Sequence, residues 1–437
     1  MSKSLPLNPN LNQLKNQAKD LLKAHQNGES AVCDKLRLLN RFSKKSDSEI
    51  FVSKLALNEA QFAIALDYRF SSWDALKKHV EATSPVTNAA IKEENGKVWI
   101  DGIPKLMWGK SGECTFAGAL SSALSVTKHP CSYDDIMGFT GLAFRFRWYR
   151  RTDVPGWCPS SPVGEFPDEV ATTSKATGWK FRDVFRMGIV EPHMEQFAEE
   201  VIASIDNGIP VLGVPENLDI AIIYGYQRNG DDINFIWNGY HWNEPHILNQ
   251  TKTGPFIIFL EEHTQPEEKK KSFIESLSTP NWRRKSLPAQ EGQGKEHIYH
   301  YGDNALKTWI DDISQADKFT KEQAENLFFV GWWCFDILCD ARDSAAKYLN
   351  EHAQIFDVEI KSTLQKAASI YGVQSKMMME TFETHNTFLG PWSGKKFDDW
   401  TPEVRKREVE LLKEIRRMDN EAIAEIDRAV KLIEVVK

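Results

Sequence analysis

Residues 108–126 read WGKSGECTFAGALSSALSV, a loop of small residues that leads into a helix with almost no polar face. A helix that is apolar on nearly all sides is buried inside a domain. Four short β-like runs follow it, each bounded by glycine, asparagine or aspartate: Pro210–Val214, Ile220–Tyr226, Ile233–Trp237 and Phe256–Leu260. A buried helix followed by several strands predicts an α+β domain with a mostly antiparallel sheet.

The limits of this middle domain follow from changes in composition. The sequence KVWIDGI (97–103) contains a turn-prone Asp-Gly pair and predicts a hairpin where the domain begins. The charged run Gln265–Lys271 predicts a solvated joint where it ends. The predicted division is therefore a helical module, a linker, the α+β domain and a second helical domain, at residues 1–84, 85–96, 97–265 and 272–437.

Helical periodicity supports both flanking parts. Near the N-terminus the apolar residues recur at helical spacing, at Leu11, Leu14, Ala18, Leu21 and Leu22. Near the C-terminus, Thr320 and Gln323 have the spacing of a capping box. Apolar stripes then run through 324–349 and 411–433. These stripes need a partner surface, which is another C-terminal helix, the α+β domain or the second subunit of a homodimer.

Composition excludes several classes of function. The 437 residues contain 54 Lys plus Arg and 62 Asp plus Glu, a net charge of −8, which argues against a nucleic-acid or polybasic membrane partner. No apolar run approaches the roughly 20 residues of a membrane span, and the N-terminus lacks a signal-peptide core. Six cysteines without a CxxC pair do not indicate a disulfide scaffold. We therefore expect a cytoplasmic protein with reduced thiols.

Cys114 is the strongest candidate for chemistry. It lies at the start of the apolar helix, where the partial positive charge and the unpaired N–H groups stabilise a thiolate. A nucleophilic cysteine also needs a histidine base, and His241 and His246 in NGYHWNEPHILN (238–249) could approach it. The alternative is that Cys114 is a small core residue and that both histidines belong to a surface loop.

No metal or cofactor is predicted. His297 and His300 have a spacing that allows one helical face, but no carboxylate or cysteine pattern accompanies them, so they are a poor zinc signal. Neither GxGxxG nor GxxxxGK[ST] occurs, and GxSxG is also absent. Four of the other five cysteines, Cys131, Cys158, Cys334 and Cys339, are interpreted as structural.

Several motifs of the middle segment resemble those of the BtrH N-terminal-domain family. They are GECTFAGALSSAL (112–124), SYDDIMGFTGLAFRFRW (132–148), DNGIPVLG (206–213) and IIYGYQ (222–227). This family is named for a butirosin-biosynthesis acyltransferase and belongs with the papain-like cysteine enzymes related to bacteriocin-processing peptidases. The resemblance covers about residues 97–262. The N-terminal module is similar to a short helical unit that precedes ankyrin repeats in bacterial proteins.

The resemblance implies a papain-like fold with Cys114 as the nucleophile. The position of the base histidine holds Asp219, and the orienting residue falls at Asn238. The glutamine that usually builds the oxyanion hole is missing from the residues before Cys114. Because a carboxylate with a pKa near 4 is too weak a base for a thiol, His241 would have to supply the base by a loop that folds back.

Two functions follow from this incomplete set of residues. The first is a cysteine-dependent acyltransferase or amide hydrolase, in which Cys114 attacks a carbonyl and N–H groups at the helix start hold the oxyanion. Its substrate would be a small molecule or a peptide, with a carrier-bound acyl donor as one form. The second is a catalytically degenerate papain-like domain that binds a small molecule or peptide without turnover.

Overall fold

The structure is a computed structural model, and its elements follow the α+β class that the sequence predicts. It describes residues 11–83, 89–151, 154–155, 166–185, 197–215, 219–230, 232–250, 256–278, 287–288, 297–384, 386–388, 390 and 393–436. Several predictions fall partly outside these residues, among them the predicted N-terminal module at residues 1–10 and 84, the linker at residues 85–88, and the structural interpretation of Cys158.

Helices account for most of the described elements. The α-helices are α1 (Leu11–Gln26), α2 (Cys33–Leu36), α3 (Asp47–Phe51), α4 (Leu57–Asp67), α5 (Trp73–Thr83), α6 (Thr115–Ser125), α7 (Tyr133–Phe139), α8 (Phe166–Thr177), α9 (Ala198–Asp206), α10 (Lys269–Ser276), α11 (Gly302–Ser314), α12 (Lys321–His352), α13 (Val358–Thr384) and α14 (Pro402–Val436).

The strands form two sheets, one of eight strands and one of four. The strands are β1 (Ile91–Glu94), β2 (Lys97–Ile100), β3 (Arg147–Arg151), β4 (Val154–Pro155), β5 (Trp179–Phe185), β6 (Val211–Gly213), β7 (Ala221–Asn229), β8 (Asp232–Asn238), β9 (His246–Asn249), β10 (Phe256–His263), β11 (Leu287–Pro288) and β12 (His297–Tyr301).

The contacts within the chain divide it into two compact units, each assembled from separate stretches. The first unit comprises Met1–Lys105, Ser122–Pro130 and Lys180–His263, and the second comprises Leu106–Ser121, Cys131–Trp179 and Thr264–Lys437. The division into an N-terminal module, a middle domain and a C-terminal domain stays a prediction.

The N-terminal helices α1 to α5 have a core of their own within the first unit. The predicted stripe of α1 is buried at Leu14, Ala18 and Leu21. The Ser72 hydroxyl accepts the Ala75 N–H at 3.0 Å and caps α5. Helix α3 begins with a capping box between Ser46 and Glu49, a local signal that periodicity alone does not detect.

The eight-stranded sheet of the first unit is built around β7. This strand pairs antiparallel with β8 along its length, and its other edge is shared by β6 and β2. Each of the four predicted β-like runs forms a strand: β6, β7, β8 and β10. Gly225 lets β7 approach β2, because a Cβ there would lie 2.7 Å from the Val98 carbonyl oxygen. A hairpin is also present, formed by β1 and β2 around the turn Asn95-Gly96. The predicted position of its turn, Asp101-Gly102, is wrong, because those residues follow β2.

The long C-terminal helices belong to the second unit and pack on one another. Helix α13 contacts both α12 and α14, and α14 also contacts α11. Within this group the buried Arg342 guanidinium of α12 pairs with Asp419 of α14 at 2.6 Å. The stripes through 324–349 and 411–433 therefore have partners inside the chain, while a homodimer stays a prediction.

The second unit also contains the four-stranded sheet, in the order β11-β12-β3-β4. His297 and His300 lie in strand β12, so the helical spacing considered for a zinc pair is wrong. Among the described helices, none combines the length and the apolar character that crossing a bilayer requires.

Candidate functional site

Cys114 lies immediately before α6, at the position that the sequence predicts. Its carbonyl oxygen accepts the Gly118 N–H at 3.0 Å, which is the first hydrogen bond of the helix. Its own N–H donates to the Tyr133 hydroxyl oxygen at 3.0 Å. A side chain from the start of α7 therefore occupies a backbone donor that an oxyanion would need.

The surroundings of the Cys114 sulfur favour the thiol over the thiolate. The residue is 1% exposed. Burial raises the pKa of Cys114 to about 12, and the nearby Asp340 carboxyl adds to the increase, although the Ala117 N–H acts in the opposite direction. Desolvation disfavours the charged form of a group more strongly than the helix start favours it here. In this conformation Cys114 is not a poised nucleophile.

The Tyr133 hydroxyl links the start of α6 to Asp340 through two hydrogen bonds. The hydroxyl donates to the Asp340 carboxylate, and the Asp340 carboxylate also accepts the Glu113 backbone N–H. Gly112 makes room for the tyrosine ring: its φ is +82°, and a Cβ there would lie 2.0 Å from the Tyr133 Cζ. The loop before Cys114 is thereby fastened to helix α12 through Asp340.

Three carboxyl groups, those of Glu113, Asp336 and Asp340, lie close to one another beside these hydrogen bonds. Burial raises the pKa of Asp336 to about 8, and the charges of Glu113 and Asp340 contribute. Burial also raises the pKa of Asp340 to about 7 and raises the pKa of Glu113, whose carboxylate accepts the Gly109 N–H at 2.8 Å. Because burial disfavours the charged form of a carboxyl group, Asp336 holds a proton at neutral pH and Asp340 is partly protonated there.

The other predicted site residues lie in the first unit. Asp219 lies just before β7, and His241 lies in the loop that follows β8. That loop folds back, so that the His241 Nε2 lies 2.6 Å from an Asp219 carboxylate oxygen. The His241 side chain is 42% exposed and that of Asp219 is 23% exposed. The structure thus brings together the two residues that the sequence offered as rival bases.

Asn238, the predicted orienting residue, ends β8. Its side-chain amide donates to the Pro104 carbonyl oxygen at 2.8 Å. This contact fastens the end of the strand to the segment after β2. Asn238 also faces a cleft in the first unit.

The cleft has a volume of about 380 Å³ and carries both aromatic and polar groups. Its aromatic lining is Trp99, Tyr224 and Trp242. The Trp242 ring stacks on His246 at 4.3 Å between centroids, which holds the indole in place. The sequence did not single out these three aromatic residues, although Trp242 directly follows His241 and Trp99 lies in the predicted hairpin.

Comparison with known proteins adds no family to this description. The chain matches no protein-family model. No curated protein matches it either. The likeness to the BtrH N-terminal-domain family therefore rests on the quoted motifs.

Proposed function

We propose that the chain is a papain-like α+β protein that binds a small molecule or a short peptide without turning it over. The observation that carries this proposal is the closed state of the Cys114 site. The thiol is buried with a raised pKa, and the Tyr133 hydroxyl takes up the Cys114 N–H. Acyl transfer needs both a thiolate and free oxyanion donors. In this arrangement the thiol is not ionised, and the Cys114 N–H is already occupied.

The cleft of the first unit supports the binding part of the proposal. Ligand sites are concave, and they combine apolar walls with a few polar groups that fix the orientation of the ligand. Trp99, Tyr224 and Trp242 provide flat apolar surface, and Glu244 provides a carboxylate. The volume of about 380 Å³ is sufficient for one small ligand or for one or two side chains of a peptide.

The Asp219–His241 pair favours a second candidate, a cysteine-dependent acyltransferase or amide hydrolase. A carboxylate hydrogen-bonded to an imidazole fixes its tautomer and orientation, which is the arrangement of a general base. The 2.6 Å contact and the exposed imidazole fit that role. This candidate further requires that the Cys114 thiol become accessible and ionised.

A ligand screen against the full chain tests the binding proposal. Small polar molecules and short peptides are titrated while tryptophan fluorescence is recorded, because two tryptophans line the cleft. We expect at least one ligand whose affinity falls ten-fold or more in Trp242→Ala. Trp73→Ala, which changes a half-buried tryptophan of α5, should bind that ligand as the wild type does.

The same samples test for turnover. Mass spectrometry of the ligand after prolonged incubation should recover it unchanged. A ligand that is hydrolysed or acylated by the wild type and not by Cys114→Ser would replace the binding proposal with the enzymatic one. Equal affinity of every ligand for wild type and Trp242→Ala would contradict a role for the cleft.

A further inference from the structure

A second group of chemically active side chains lies in the second unit, on the two helices α7 and α12 that also carry Tyr133 and Asp340. It consists of Asp135 in the first turn of α7 and of Glu351 and His352 in the last turn of α12. One donor atom from each residue lies within 4.8 Å of the other two. Within the described part of the chain, these three residues are the group of histidine, cysteine, aspartate and glutamate side chains whose donor atoms lie close enough together to hold a metal ion.

The imidazole of His352 is held in one orientation by aromatic packing. Its ring stacks on Phe273 at 5.2 Å between centroids and meets the rings of Phe139 and Tyr348. The residue is buried, yet its Nε2 lies 2.7 Å from an Asp135 carboxylate oxygen. The nitrogen that could bind a metal is therefore directed at the carboxylate before any metal arrives, which lowers the cost of organising the site.

Asp135 offers a carboxylate oxygen to the site, and one oxygen of this carboxylate already contacts the His352 Nε2. Glu351 is exposed and can rotate towards the other two donors. Lys269 lies close enough to act on Asp135 electrostatically, and its positive charge opposes the binding of a cation.

The spacing suits a small divalent ion. Zinc binds histidine nitrogen at about 2.0–2.1 Å and carboxylate oxygen at about 2.0–2.2 Å, so tetrahedral neighbours lie about 3.3 Å apart. The 2.7 Å contact between His352 and Asp135 would need to open by about 0.6 Å, and the proton that this hydrogen bond holds would pass to solvent as the ion binds. One imidazole and two carboxylates are a donor set that zinc accepts, and water can supply the fourth ligand on the exposed side.

We propose that Asp135, Glu351 and His352 form a Zn²⁺-binding site that ties the start of α7 to the end of α12. Such a site is independent of the proposed function, because none of its ligands belongs to the cleft or to the surroundings of Cys114. Its effect would be to stabilise the second unit when the ion is bound, since an ion that binds only the folded state raises its stability.

Isothermal titration of the full chain with ZnCl₂, after dialysis against a chelator, tests this proposal. We expect one Zn²⁺ per chain at this site and a rise in the melting temperature with Zn²⁺. Glu351→Gln removes an exposed ligand and should leave the metal-free protein folded, while its dissociation constant for this ion rises at least ten-fold. Glu359→Gln changes an exposed carboxylate at the start of α13 and serves as the matched control, with no change expected.

Asp135→Asn and His352→Gln should lose the same equivalent of Zn²⁺. Because His352 is packed among aromatic rings, its variant can fail to fold, and Glu351→Gln is therefore the decisive one. A wild type that binds no Zn²⁺, or a Glu351→Gln variant that binds it as tightly as the wild type, would overturn the proposal. Either result would mean that His352 and Asp135 form only a structural hydrogen bond.

Discussion

Cys114 and His241 lie in opposite environments. The Cys114 side chain is buried, so its thiol keeps its proton. The Cys114 backbone N–H donates to the Tyr133 hydroxyl oxygen. The His241 imidazole is exposed and held by Asp219. The residue types of a cysteine enzyme are thus both present, but only the imidazole lies where it can act on a solute. Residue identity and position on a helix do not by themselves make a nucleophile, because desolvation can outweigh the helix start.

The largest expected effect comes from the glycine under the Tyr133 ring. In Gly112→Ala the new Cβ would overlap the ring, and the φ of +82° is unfavourable for alanine. We expect a loss of roughly 3 kcal/mol in the free energy of unfolding, measured by urea denaturation. Gly109→Ala is the matched control: its φ is +71°, but no atom lies within 4 Å of the new Cβ, so only about 1 kcal/mol should be lost. Equal losses in the two variants would contradict the packing described for Tyr133.

Removing the Tyr133 hydroxyl tests whether its hydrogen bonds to Cys114 and Asp340 stabilise the fold. Tyr133→Phe leaves the Cys114 N–H and the Asp340 carboxyl without this partner. A buried polar group that loses its hydrogen bond costs about 1–3 kcal/mol, so we expect about 2 kcal/mol in urea unfolding. Tyr68→Phe, which removes a hydroxyl that donates to Gln17 at 3.2 Å, should cost less than half as much. A Tyr133→Phe variant as stable as the wild type would mean that the Tyr133 hydroxyl does not stabilise the buried Cys114 site.

The carboxyl groups beside the closure make stability depend on pH. The pKa values of Asp336 and Asp340 are raised to about 8 and about 7 in the folded chain, above their unfolded value near 4. The folded state therefore holds protons that the unfolded state releases. Their stabilising effect is complete below about pH 4 and is lost as the pH rises through 7 to 8.

For each group the slope is at most about 1.4 kcal/mol per pH unit between its two pKa values. Unfolding measured between pH 5 and 8 should show this decline, and Asp336→Asn should reduce it. Asp232→Asn, a change at an exposed carboxylate of β8, should leave the slope as it is. A slope that Asp336→Asn leaves unchanged would place the titrating groups elsewhere.

The smallest effect on stability is expected from substitution of the exposed His241. His241→Gln removes an imidazole that is 42% exposed, and exposed ion pairs contribute little. We expect a change within about 0.5 kcal/mol in urea unfolding. Loss of more than about 2 kcal/mol would mean that His241 is a structural residue, and it would weaken both functions proposed for its surroundings.

Local patterns were sufficient to predict much of the fold. The helix that begins directly after Cys114 and the four strands of the middle segment follow from local sequence patterns, which act over a few positions. The burial of Cys114 could not be predicted in the same way. It depends on Tyr133 and Asp340, and the latter is 207 positions from Tyr133 in the chain.

The candidate site was predicted in part. The sequence indicated Asp219 and His241 separately, and their hydrogen bond depends on the path of a loop that periodicity does not determine. The zinc ligands proposed here were hidden for a similar reason. Asp135 belongs to a capped helix start and His352 to a helix end, and only the packing of α7 against α12 brings them together.

The rate of alkylation of Cys114 tests the central claim most directly. The native chain is treated with iodoacetamide between pH 6 and 8, and the labelled cysteines are mapped by mass spectrometry as a function of time. We predict that Cys114 reacts more slowly than the half-buried Cys131 at every pH and that its rate increases in Tyr133→Phe. If Cys114 is the fastest of the cysteines and already reacts at pH 6, its sulfur is an accessible thiolate, and the account of a closed site is wrong.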